Sequence, residues 1–205
     1  MFDMKMTRLH WICDDDLCLH GDVTIKIGEE DIYVSDITLS ASALYLLKTL
    51  TEDHRIGESN QMVPCCGNFI VPDEDFNNVK IYGCPNGEDW SVIHKNGHIE
   101  LIRESGQTTE IPYDRYEEVV HSIVNQVKDY YMQSVPRSMP EEVDEQEGYV
   151  SFWNEWAIRN HQLSNKEFYC PLSSREINSE TCTETKGDTL CPRCVYNGNR
   201  VSGKI

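Results

Sequence analysis

Asn96-Gly97, set between two runs rich in β-branched residues, constrains this chain more than any other pair of positions. The dipeptide suits a two-residue hairpin whose type I′ form needs positive φ at both central residues, so it predicts a tight turn of fixed register. With that register, Trp90, Val92 and His94 share one face and Ser91 and Ile93 the other, while Ile99 and Leu101 alternate with His98, Glu100 and Ile102. Apolar residues on both faces imply cover on more than one side. Around this turn, P-C-C-G-N-F-I-V from Pro64, V-K-I-Y-G-C-P-N-G, the hairpin itself and Q-T-T-E-I up to Ile111 read as one antiparallel sheet.

The flanks supply the rest of an α+β fold. R-L-H-W-I-C predicts a strand before the turn D-D-D-L-C-L-H, and the alternating D-V-T-I-K-I of Asp22 to Ile27 pairs across Gly28 with D-I-Y-V-S. From Leu39 to Thr51 the period changes, and Leu39, Ala43, Leu46, Leu47 and Leu50 fall on one helical face behind a cap at Thr38 or Ser40. Asp114 and Glu117 have the spacing of a capping box, followed by Tyr116, Val119, Val120, Ile123, Val127 and Tyr130 at helical intervals. After V-P-R-S-M-P, the run E-E-V-D-E-Q-E is a solvated linker or a surface helix turn. Tyr149, Phe152, Trp153 and Trp156 then form an aromatic stripe that belongs in a core. The expectation is an antiparallel sheet of about six strands covered by two or three helices, an ordinary sheet size.

Charge separates residues 1–165 from 166–205. The first range holds 12 basic and 30 acidic residues, a balance of −18, and the second 6 and 5, a balance of +1. An acidic α+β domain over 1–165 repels a phosphate backbone, which argues against nucleic acid and for either a basic protein partner or simply a well-solvated acidic surface. Asp14, Asp15, Asp16, Asp73, Glu74 and Asp75, in loops of exposed composition, are the candidate contacts. No N-terminal stretch reads as a signal peptide and no run approaches the ~18 apolar residues of a membrane span, so a cytoplasmic location with reduced cysteines is expected.

Residues 166–205 lose all periodicity, and so few apolar groups cannot order the segment by burial, so it needs a staple or is a tail with incidental cysteines. Four of the nine cysteines lie there, Cys170, Cys182 and the C-P-R-C pair Cys191 and Cys194, within 25 residues. Two thiolates separated by two residues can address one ion from a tight knuckle, and Cys170 and Cys182 complete a tetrahedral structural Zn2+ site, with His161 as a substitute ligand. Cys13, Cys18, His20, Cys65, Cys66 and Cys84 leave open a second site. In a strand, however, Cys65 and Cys66 face opposite ways. A hydrolase drawn from Cys66 or Cys84, His94 or His98 and Asp89 is the catalytic alternative, and nothing in the sequence says that these groups meet.

The small acidic α+β body with P-C-C-G, G-C-P-N-G-E-D-W and F-W-N-E-W resembles the immunity-type proteins encoded beside bacterial polymorphic toxins. The resemblance covers residues 1 to about 165 and implies a protein that binds and neutralises a toxin domain. It carries over no functional residues. A zinc-stabilised adaptor, with 166–205 as its interaction module, is the second function the residues allow.

Overall fold

The computed structural model describes residues 1–160 other than 59 and 136, together with the strand backbones 167–170 and 175–178. The chain clusters into two compact units: 1–12, 18–67 and 83–130 form the first, and 13–17, 68–82 and the chain from 131 onward the second. The boundary expected at 165/166 lies outside the described residues.

The first unit opens with an antiparallel meander of β1 (Phe2–His10), β2 (His20–Ile27) and β3 (Glu30–Thr38). β1 begins well before the strand read from R-L-H-W-I-C, because Phe2, Met4 and Met6 are buried while Asp3, Lys5 and Thr7 are exposed. Methionine alternating with charge is an ordinary half-buried pattern. The predicted hairpin at Gly28 is present, with Ile27 opposite Glu30. α1 (Leu39–Lys48) follows directly, and every residue from Leu39 to Leu47 is buried. A helix apolar nearly all round must lie inside a core. Thr38 and Ser40 do not cap it by the expected side-chain bond. Instead the Leu39 and Ser40 amides donate to the Leu19 carbonyl, and the Ser40 hydroxyl accepts the Leu19 amide.

A second three-stranded antiparallel sheet comprises β6 (Ser91–Lys95), β7 (His98–Ile102) and β8 (Thr108–Pro112). Lys95 pairs with His98 across Asn96-Gly97, as the sequence predicts, and Val92 faces Leu101. Only Gly97, at φ 77°, takes a positive angle, so the turn needs one left-handed residue where a type I′ turn needs two. Val92, Ile99, Leu101 and Ile111 are buried, and Ile93, on the opposite face of β6, is also buried. α2 (Tyr113–Gln133) then buries Tyr116, Val120, Ile123 and Val127 of the expected face, together with Val124, while Val119 and Tyr130 are half-buried. Asp114 does not close a capping box: it lies inside the first turn and its carboxylate accepts the Arg115 amide.

The second unit contains most of a separate two-stranded sheet, β4 (Gly67–Pro72) with β5 (Val79–Gly83). The strands expected in one sheet of about six are therefore divided among smaller sheets. Strand partners are chosen by contacts remote in sequence, which alternation alone does not report. α3 (Val143–Arg159) absorbs the acidic run, placing Asp144 and Glu145 in its first turn where the helix dipole favours them. The aromatic stripe is core as expected: Tyr149, Phe152, Trp153 and Trp156 are all buried, and Trp153 meets Tyr131 edge-on at 4.9 Å. Glu155, 0% exposed, accepts the Val79 amide at 2.7 Å and the Arg159 guanidinium at 2.7 Å. A buried carboxylate thus ends the β5 ladder on α3. Beyond lie β9 (Glu167–Cys170) and β10 (Arg175–Asn178), an antiparallel pair.

Gly148 lets α3 approach β4 closely, since an added Cβ would stand 2.2 Å from the Ile70 carbonyl oxygen. Gly148→Ala is expected to lower unfolding free energy by about 1–3 kcal/mol, although alanine is the better helix former by about 1 kcal/mol. Urea denaturation measures the sign directly, and a more stable variant would contradict the close packing.

Candidate functional site

Both acidic loops singled out from the sequence belong to the second unit. In the loop 13–17, Asp14 and Asp15 are exposed and Asp16 is half-buried. The buried Arg137 guanidinium donates from Nε to the Asp16 carbonyl at 2.9 Å and from a terminal nitrogen to the Cys13 carbonyl. Asp15 accepts the Cys13 thiol, which pulls the carboxyl below its ordinary range and pushes the thiol up. In the β4–β5 loop, Asp73 works inward: its carboxylate accepts the Asn77 amide at 2.9 Å and the Asn78 side chain at 2.7 Å. Burial raises its pKa, and these hydrogen bonds outweigh burial and hold it below the usual carboxylate value. Glu74 and Asp75 are exposed at the tip. The strands behind this tip expose two aromatic side chains, Phe69 at 59% and Tyr82 at 54%. Alternation in a strand does not say which face is covered, so the sequence does not mark these aromatics as exposed.

Cys170 is the last residue of β9, opposite Arg175, and Cys182, Cys191 and Cys194 lie outside the described residues. Among the described residues, the sulfur atoms brought together are those of Cys65, Cys66 and Cys84 in the first unit, all within 4.8 Å of one another and half-buried. This group could hold a metal ion. Cys65 and Cys84 are joined as a disulfide, and the Cys66 sulfur lies 3.7 Å from that of Cys65. The expectation that no cysteine is disulfide-bonded is thereby corrected. Cys65 and Cys66 sit in a bend ahead of β4 rather than in a strand, which allows both to turn the same way. Cys13 is exposed, Cys18 is buried, and neither joins the group.

The two segments are brought to one another by the backbone. Val63 and Glu88 exchange amide and carbonyl at 3.0 and 2.9 Å, and the Gln61 side chain bonds the Pro85 and Gly87 carbonyls and the Gly87 amide. Gly87 is required here, because a Cβ would lie 2.2 Å from the Val63 carbonyl oxygen. P-C-C-G and G-C-P-N-G are visible as turn chemistry, but their meeting depends on this remote bridge.

The cysteine–histidine–aspartate relay drawn from the sequence does not assemble. Asp89 Oδ1 lies 2.8 Å from His54 Nε2 and also accepts the Met62 and Trp90 amides, whereas His94 donates its amide to Asp53 at 2.8 Å and places Nδ1 at 2.9 Å from it. These bonds hold the Asp53 carboxyl below its ordinary value, the amide bond contributing most. A further buried carboxylate, which no sequence pattern marks, is Asp22, 1% exposed. It accepts the Tyr33 hydroxyl at 2.8 Å and the Asp36 amide at 3.0 Å, and Arg8 lies 3.2 Å away. Arg8 and Asp36 both adopt left-handed backbone, at φ 52° and 56°, beside irregularities in the β1–β2 and β2–β3 pairing. Asp22 thus gathers two strained positions and a phenol onto one acceptor.

Compared with known proteins, the chain matches no family model, no curated protein and no solved structure.

The Tyr33 and Asp36 hydrogen bonds lower the Asp22 pKa in the folded state. Its stabilisation is then complete above the unfolded carboxyl value of about 3.9 and is lost as pH falls through the lower folded value. Asp22→Asn is expected to reduce the urea midpoint at neutral pH, with the gap to wild type closing as pH falls below about 4. A gap constant with pH would show that the carboxylate charge is not what stabilises.

Proposed function

We propose that this chain is an inhibitory binding protein that recognises a basic protein partner, such as a toxin domain, through the acidic tip of the β4–β5 loop and the loop 13–17. The observation that carries this reading is the pairing of exposed Glu74 and Asp75 with Phe69 and Tyr82 on one two-stranded sheet. Carboxylates steer a basic surface during approach, and aromatic anchors slow its departure once water is excluded. Asp14 and Asp15, exposed in the same unit, add to its acidic surface. Asp73 and Asp16 serve by holding their loops in shape. The net charge of −17 favours the same choice of partner over nucleic acid.

For residues 166–205 we propose structural Zn2+ on Cys170, Cys182, Cys191 and Cys194. The C-P-R-C spacing of Cys191 and Cys194 supports this, since two thiolates two residues apart can address one ion, and Cys170 ends the strand β9.

A partner captured from the source cell and then purified should be basic, and its affinity should fall as the screening length shortens from about 10 Å at 0.1 M salt to about 3 Å at 1 M. Glu74→Lys with Asp75→Lys is expected to slow association by about tenfold, and Phe69→Ser with Tyr82→Ser to speed dissociation, both read by surface plasmon resonance. Co-expression should relieve the partner's toxicity. A complex indifferent to salt and to both pairs of substitutions would refute the reading.

A further inference from the structure

We infer that the reduced protein binds a thiophilic divalent cation, Zn2+ in the first instance, on the thiolates of Cys65, Cys66 and Cys84, and that the Cys65–Cys84 disulfide is the cation-free oxidised form of the same site. The geometry of the sulfur atoms points to this. A tetrahedral thiolate centre with Zn–S bonds near 2.3 Å sets its sulfurs about 3.8 Å apart. Cys65 and Cys66 are already 3.7 Å apart, and all three sulfurs fall within 4.8 Å. Adjacent cysteines seldom address one point, and they do so here because the chain bends at both.

The scaffold does not depend on the sulfur–sulfur bond. Val63 and Glu88 are joined by two backbone hydrogen bonds, Gln61 ties the loop from Pro85 to Gly87, and the Thr38 amide holds the Pro64 carbonyl at 3.1 Å. Cys65 is two residues from that bridge and Cys84 four. Cleaving the disulfide therefore frees two sulfurs whose separation the backbone still limits. A phosphine and water reduce the bond to two thiols, the phosphorus taking the oxygen. Binding of the cation to three thiolates then releases three protons to the buffer. Bonded sulfurs lack the thiolate charge that zinc requires, so ligation and disulfide exclude one another.

The C-terminal cysteines must be kept out of the measurement. In the full chain carrying Cys170→Ser, Cys182→Ser, Cys191→Ser and Cys194→Ser, phosphine-reduced protein is titrated with Co2+ and the thiolate-to-cobalt charge-transfer band is followed. One equivalent is expected to bind and to be displaced by Zn2+, while the unreduced protein gives no band. Cys66→Ser, which leaves the disulfide partners intact, should weaken binding by about 100-fold or more, the upper end of what loss of a ligand's own support costs. In case the four-serine chain does not fold, Cys66→Ser in the otherwise unsubstituted, reduced chain should lower total Co2+ stoichiometry by one. No band after reduction, equal binding by the oxidised protein, or unchanged affinity and stoichiometry in Cys66→Ser would each overturn the inference.

Discussion

Much of the first unit depends on carboxylates that accept backbone amides where the chain runs beside a sheet without forming a regular strand. Asp53 takes the His94 amide, and Asp89 takes those of Met62 and Trp90. Between them, His54 pairs with Val92 by two backbone bonds and Val63 with Glu88 by two more. The segment from 53 to 63 is thus laced at one end to β6 and at the other to the residues that lead into it. An amide donating to a charged acceptor makes a shorter, stronger bond than one donating to a carbonyl, and leaving it unmade in a half-dry setting is costly. Arg103 continues the lacing by donating to the Asp89 carbonyl and pairing with Glu88 and Glu30.

The second unit solves the same problem differently. Its sheet has only two strands, and such a hairpin is marginal by itself. Glu155 and Asn154 of α3 supply what a third strand would: one accepts the Val79 amide, the other donates to the Phe76 carbonyl at 2.8 Å. The aromatic cluster of Tyr131, Tyr149, Phe152, Trp153 and Trp156 lies on the same helix or touches it. A chain with a charge of −17 therefore uses some of its acids as internal acceptors, and the exposed remainder defines its outward chemistry.

What could be read from the residues alone follows the range of the interactions involved. The turn at Asn96-Gly97, the hairpin at Gly28 and the core face of α2 rest on neighbours within a few positions, and each is legible. The division of the strands among separate sheets rests on which strand meets which, and alternation carries no such information. β1 was hidden because methionine is a weak strand signal, and the start of α3 because acidic residues that suit a helix N-terminus also suit a linker. At the candidate sites, the acidic loops were evident from composition, whereas the internal roles of Asp73 and Asp22 were not. The meeting of Cys65, Cys66 and Cys84 depends on the Val63–Glu88 bridge, which no local pattern announces.

α1 carries a separate implication for how this protein can diverge. From Leu39 to Leu47 it has no watered side, and even Ser40 and Ser42 are committed to hydrogen bonds with Leu19 and Thr38. Most helices can exchange residues freely along one flank while conserving the other. This one offers no such flank, so a change of volume at any of these positions demands a compensating change in whatever element abuts it. Drift in the surrounding strands and in this helix must then proceed as a correlated set, and covariation should be densest there.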